Sequence, residues 1–137
     1  MNERDDAQFD TSDILILLAV LEGTYSGGTD VRGIISFVDY ADHNVLSEDE
    51  LVGGLRRLAG WGLVIAGDGL FRASLRVARE YRRRAEGVKT NNGKLDIVKT
   101  IMEEYRDHGA LADHGSSDEV VSSGEYHHAL KDYLSGK

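Results

Sequence analysis

With 137 residues, 41% of them hydrophobic, the chain is long enough for one compact domain with an ordinary core and too short for two full ones. Zero cysteines exclude disulfides and thiolate metal sites. The longest apolar run, Ile14 to Leu21, falls well short of the roughly 18 residues of a membrane span. The start MNERDDAQFD is acidic and lacks the basic start and small-residue cleavage site of a secretory signal, so a cytoplasmic protein that avoids membranes is expected. A net charge of −8 opposes nucleic-acid binding unless positive charge is concentrated locally. It is concentrated: residues 1–74 balance to −8 and residues 85–137 to −4, whereas residues 75–84 hold five Arg and one Glu.

Thr11 or Ser12 supplies an N-cap for a first helix, with Asp13 in the favourable first turn of its dipole. Every residue from Ile14 to Leu21 is apolar without a period, which predicts a helix buried on most sides. The loop GTYSGGTD follows; with no Gly-Lys-Ser/Thr after it, it reads as a connector that has room for a small first strand, not as a phosphate loop. Thr29 is the expected cap of a second helix, whose Val31, Ile34, Ile35 and Val38 form an amphipathic stripe ending around residues 42–44. Ser47 and Glu50 have capping-box spacing, and Leu51, Leu55 and Leu58 place one apolar stripe on a third helix that stops at Gly60 and Gly62. The short turn between these two helices predicts that they pack at an angle and that the second is presented outward. Next come two apolar runs, from Leu63 and from Leu70, separated by an Asp68-Gly69 pair suited to a tight hairpin turn.

Ser74 caps a predicted helix through about Ala85, with Val77, Ala78, Tyr81 and Ala85 on its apolar side. Residues 86–93 read as a linker. A helix over about 94–106 and a last one opening at Ser117 or Ser123 carry apolar stripes that must cover the core or pair with a second copy.

The order of buried helix, amphipathic helix, Leu-rich helix, Gly-Trp-Gly-Leu-Val and hairpin, with the junction LRRLAGWGLV at 55–64, resembles the winged helix-turn-helix superfamily, the PadR-like and MarR-like regulators included. The resemblance covers roughly residues 12–85. It implies a mostly α fold with a small β-hairpin wing: a winged-helix domain over 11–85, then a two-helix C-terminal extension over 94–135. It also implies a transcriptional regulator that binds double-stranded DNA, with terminal helices that join a homodimer.

The contacts such a regulator would use are Arg56, Arg57, Arg72, Arg76, Arg79 and Arg83. Arg32 on the second helix is a further candidate. With the leucine stripe inward, a helical wheel turns Asp49, Glu50, Gly53, Arg56 and Arg57 outward. The first turn, Ser47 to Glu50, is acidic where a DNA reader approaches the groove, and the hairpin tip is Gly-Asp-Gly. These departures motivate an alternative, an acidic winged helix that binds another protein without DNA, and the resemblance leaves the regulator slightly ahead of it. Arg56 and Arg57 read equally as a solvated face paired with nearby acids, and the Arg76 to Arg84 run as such a face or as a partner for acidic helices.

No nucleophile elbow, His-Glu-x-x-His pair, Walker loop or dinucleotide fingerprint is present, so neither enzymatic activity nor a cofactor is expected. His127 and His128 point about 100° apart on a helix and make poor co-ligands. A site combining His108, Asp113 and His114 with one of them lacks diagnostic spacing.

Overall fold

The computed structural model describes residues 10–24, 26–67, 69–108 and 123–135. These residues form α1 (Thr11–Thr24), α2 (Val31–Asp42), α3 (Glu48–Gly60), β1 (Val64–Gly67), β2 (Leu70–Ala73), α4 (Leu75–Ala85), α5 (Asn91–His108) and α6 (Ser123–Ser135). The protein is mostly helical with one small antiparallel sheet. No helix among the described residues is long and apolar enough to cross a membrane.

The aperiodic run of α1 has its explanation in its surroundings. Leu15 to Leu21 are all buried, because α2, α3, β2, α4 and α5 all pack against this helix. A helix that is apolar all round is stable in water only at the centre of a fold. Its C-terminal end is fastened to the sheet, where the Ala73 amide donates to Thr24 Oγ1 at 3.0 Å.

The second helix opens one residue later than its sequence cap suggests. Asp30 is the N-cap and accepts from the Gly33 amide at 2.8 Å, while Thr29 is taken by the sheet. Thr29 and Phe71 exchange backbone hydrogen bonds of 3.0 and 2.7 Å, so the connector after α1 carries one residue of strand beside β2. The sheet therefore has β2 in the middle, between Thr29 and β1. Ser47 and Glu50 form the expected capping box on α3, with the Glu50 amide donating to Ser47 Oγ at 3.1 Å and the Ser47 amide to Glu50 Oε1 at 2.9 Å. Leu51, Leu55 and Leu58 are fully buried.

Beyond α3 the chain turns at Gly62 (φ 78°) and enters the hairpin, in which Val64 pairs with Ala73 and Gly67 with Leu70. Gly69 holds φ 77°, the positive value a tight turn requires, while Asp68 lies outside the described residues. Val64, Phe71 and Ala73 are buried and Ile65, Leu70 and Arg72 exposed, so the hairpin has one core face and one open face.

The two C-terminal helices belong to the same core. Val98, Ile101, Met102 and Tyr105 of α5 are buried against α4 and α1. Tyr126 and Ala129 of α6 are buried against α2 and α3. Of the two destinations open to these apolar stripes, covering the core is the one observed. The helix expected from residue 94 starts at Asn91, where Thr90 Oγ1 accepts from the Gly93 amide at 3.1 Å, so the end of the expected 86–93 linker is helical.

Candidate functional site

The surface to which the sequence points is built from α3, the hairpin and α4, and the structure separates its arginines by partner. Arg57 is not free. Its Nε and Nη2 donate to the two oxygens of Asp13, both at 2.8 Å, and Nη2 lies 3.6 Å from Asp10. Asp13 is 0% exposed, and the Asp10 amide donates to its Oδ2 at 3.2 Å. A carboxylate removed from water is tolerated only when paired and hydrogen-bonded, and a bidentate guanidinium with an added amide meets that condition. The hydrogen bonds to Asp13 hold the Arg57 guanidinium above its ordinary pKa, against the opposing effect of its partial burial. The approach of the two helices depends on Gly54: a Cβ there meets Ile16 Cδ1 at 2.7 Å and Asp13 Oδ1 at 2.8 Å. Arg57, turned outward on a simple helical wheel, is thus the clamp between α1 and α3.

Arg83 and Arg84 share the Glu80 carboxylate at 2.7 and 3.1 Å, and Arg84 also reaches Glu104 on α5 at 3.0 Å. Glu80 is held below its ordinary pKa, first by the hydrogen bond from Arg83 and further by the charges of both arginines. Arg76 lies 5.8 Å over the Tyr105 ring, a cation–π arrangement. Burial raises the Tyr105 pKa, and its hydroxyl has no hydrogen-bond partner among the described residues. Arg32 pairs with Asp132 on α6 at 3.3 Å. Arg56, Arg72 and Arg79 are exposed and have no acidic partner among the described residues.

The sides of α3 are occupied as well. Glu48 lies 3.2 Å from His127 Nε2, and the Tyr126 hydroxyl donates to the Leu46 carbonyl at 2.6 Å, so α6 is seated on the turn between α2 and α3. Glu50 is turned back into its capping box. What α3 leaves open is Asp49 and Arg56, beside the half-exposed Gly53. The outer face of the hairpin adds Ile65 at 50% exposure, Leu70 at 41% and Arg72, and Leu75 just after it is 65% exposed.

Asp13 was the functional-looking residue that helix-dipole reasoning undervalued. The available signal was a lone acid bordering an eight-residue apolar run, together with the Gly53-Gly54 pair 40 residues on. His43 is the left-handed C-cap of α2 (φ 54°) and His128 is exposed. Asp113 and His114 fall outside the described residues, and among those described no group of three His, Cys, Asp or Glu could hold a metal ion. Comparison with family models, curated proteins and solved structures finds no match to this chain.

Proposed function

We propose that this chain is a winged helix-turn-helix domain whose presented surface recognises another protein. The order α1, Thr29, α2, α3, β1, β2 supports the fold reading: two helices across a short turn, a hairpin directly after them, and a first strand residue paired to the last strand. The protein-binding reading rests on the outer face of the hairpin. A wing that tracks a phosphate backbone needs cations, and this one offers Ile65 and Leu70 around Arg72, with Leu75 exposed two residues after the hairpin. Clustered exposed apolar side chains of this kind mark contact surfaces for protein. The acidic first turn of α3 and the engagement of Arg57 by Asp13 weaken the DNA reading in the same direction.

The test uses a photo-crosslinking residue at position 65 or 70 of the full chain in its native cells, followed by reconstitution with the purified partner. An Ile65→Asp plus Leu70→Asp variant that retains its circular dichroism is expected to lose that binding. Undiminished binding by this variant would refute the assignment.

Duplex DNA is the second reading, favoured by Arg56, Arg72 and Arg79, which remain exposed without acidic partners among the described residues. It predicts affinity for mixed-sequence duplex that falls steeply with salt, and a slope made shallower by about one for each phosphate-contacting arginine removed. The protein-binding reading predicts no such affinity at low ionic strength. The expected homodimer joined by terminal helices has less to bury, because the stripes of α5 and α6 are largely covered within one chain, with Leu134 at 50% exposure the exception. Sedimentation of the full chain decides between one copy and two.

A further inference from the structure

The last two turns of α4, the connector after it and the start of α5 line an open cleft of about 920 Å³. Four cations line it: Arg79, Arg82 and Arg83 from α4 and Lys94 from α5. We infer that this cleft binds a small phosphorylated compound, a site separate from the hairpin face and independent of what that face binds. Arg79, Arg82 and Arg83 stand at i,i+3 and i,i+4, a spacing at which like charges destabilise a helix; Glu80 already offsets Arg83, and a bound polyanion would lower the repulsion further.

The neighbouring acids offset only part of this charge. Glu22 accepts from the Tyr81 hydroxyl at 2.8 Å and lies 3.7 Å from Lys94, where it offsets one of the four cations. Glu86 is the other acid of the lining. Arg79 is exposed with no acidic partner among the described residues, and Arg83 keeps 67% of its side chain accessible while touching Glu80. Arginine forks match phosphate oxygens in pairs, which favours phosphate over a single carboxylate. The volume lies in the range of small-molecule sites, larger than one phosphate group needs, and Ala85 and Val88 give the cleft an apolar portion to receive an organic body.

Inorganic tripolyphosphate is the probe, titrated into the full chain with amide chemical shifts as the readout and sodium chloride of matched ionic strength as the blank. Saturable shifts are expected around residues 79–94 and Glu22. An Arg79→Ala plus Arg83→Ala variant is expected to bind at least about tenfold more weakly, given the strength of charge-assisted hydrogen bonds. The charge reversal Arg79→Glu, at an exposed position that cannot unfold the core, is expected to abolish saturation. Arg56→Ala plus Arg72→Ala, outside the cleft, leaves the affinity unchanged. The inference is overturned by shifts that never saturate, or by an equal loss in the Arg56 and Arg72 variant. It is also overturned if mixed duplex DNA moves the same amides with higher affinity than tripolyphosphate, which would make the cleft part of a nucleic-acid surface.

Discussion

Arg57→Ala leaves the Asp13 carboxylate buried with one amide donor and no counter-charge. Removing one partner of a buried pair costs about 3–5 kcal/mol, and the lower end is expected here because Arg57 is 36% exposed and water can follow the truncation. Asp13→Ala combined with Arg57→Ala is expected to cost clearly less than the two single changes added together, since each alone strands the other. Urea unfolding of the four proteins in the cycle measures this; simple additivity would show that the pair is not coupled. Gly54 provides a sharper contrast with its neighbour. Gly54→Ala drives a methyl against Asp13 and Ile16 and is expected to destabilise by about 1–3 kcal/mol. Gly53→Ala brings a methyl to 3.3 Å from the Arg57 guanidinium, which Asp13 holds in place, so the helix-propensity gain of up to about 1 kcal/mol is offset and a change near zero is expected.

At the level of elements, α4 is anchored to α5 through Arg84, which joins Glu80 and Glu104, and the pH dependence of that anchoring has a definite sign. The folded-state pKa of Glu80 lies below its ordinary value, chiefly through the Arg83 hydrogen bond. Its contribution is therefore present above the unfolded pKa and disappears as pH falls through the folded one. The stability difference between wild type and Glu80→Gln is expected to be constant near neutrality and to shrink in acid, vanishing once the pH lies below the folded-state pKa, in low salt where exposed pairs are least screened. Chemical denaturation at several pH values checks this, and a difference that grows in acid would reverse the assignment. At the other end of the fold, Tyr126→Phe removes the bond to the Leu46 carbonyl and is expected to cost about 1–3 kcal/mol, because a buried acceptor loses its donor.

For the molecule as a whole, α6 is the informative deletion. Tyr126 and Ala129 are buried, and Leu130 and Tyr133 pack against the same core, with the Tyr133 hydroxyl donating to Asp39 at 2.6 Å. A chain ending at His108 uncovers the α2–α3 turn, including the 1% exposed Leu46, and is expected to lose at least about 3 kcal/mol. An independent extension would leave the thermal unfolding of the remainder unchanged, so calorimetry distinguishes an integral helix from an appended one. Together α5 and α6 complete one core with the helices and hairpin before them.

The local structure of this protein was written in short-range pattern. Ser47 with Glu50, the leucine stripe of α3, Gly62 before the hairpin and Ser74 before α4 act over one or two turns, and each has the expected local role. Periodicity finds such features because capping and backbone angles depend on neighbours within about four residues. The roles of the arginines were not legible in that way. Arg57 meets Asp13 across 44 positions and Arg84 meets Glu104 across 20, so a wheel drawn on one helix ranks Arg56 and Arg57 alike although only one has a buried acid beside it. The sequence by itself determined the helices, the caps of α3 and α4, the hairpin and the concentration of positive charge between residues 75 and 84. Only the tertiary structure decided which of those charges are engaged and that α5 and α6 cover the core, because ion pairing and burial depend on which distant elements meet in space.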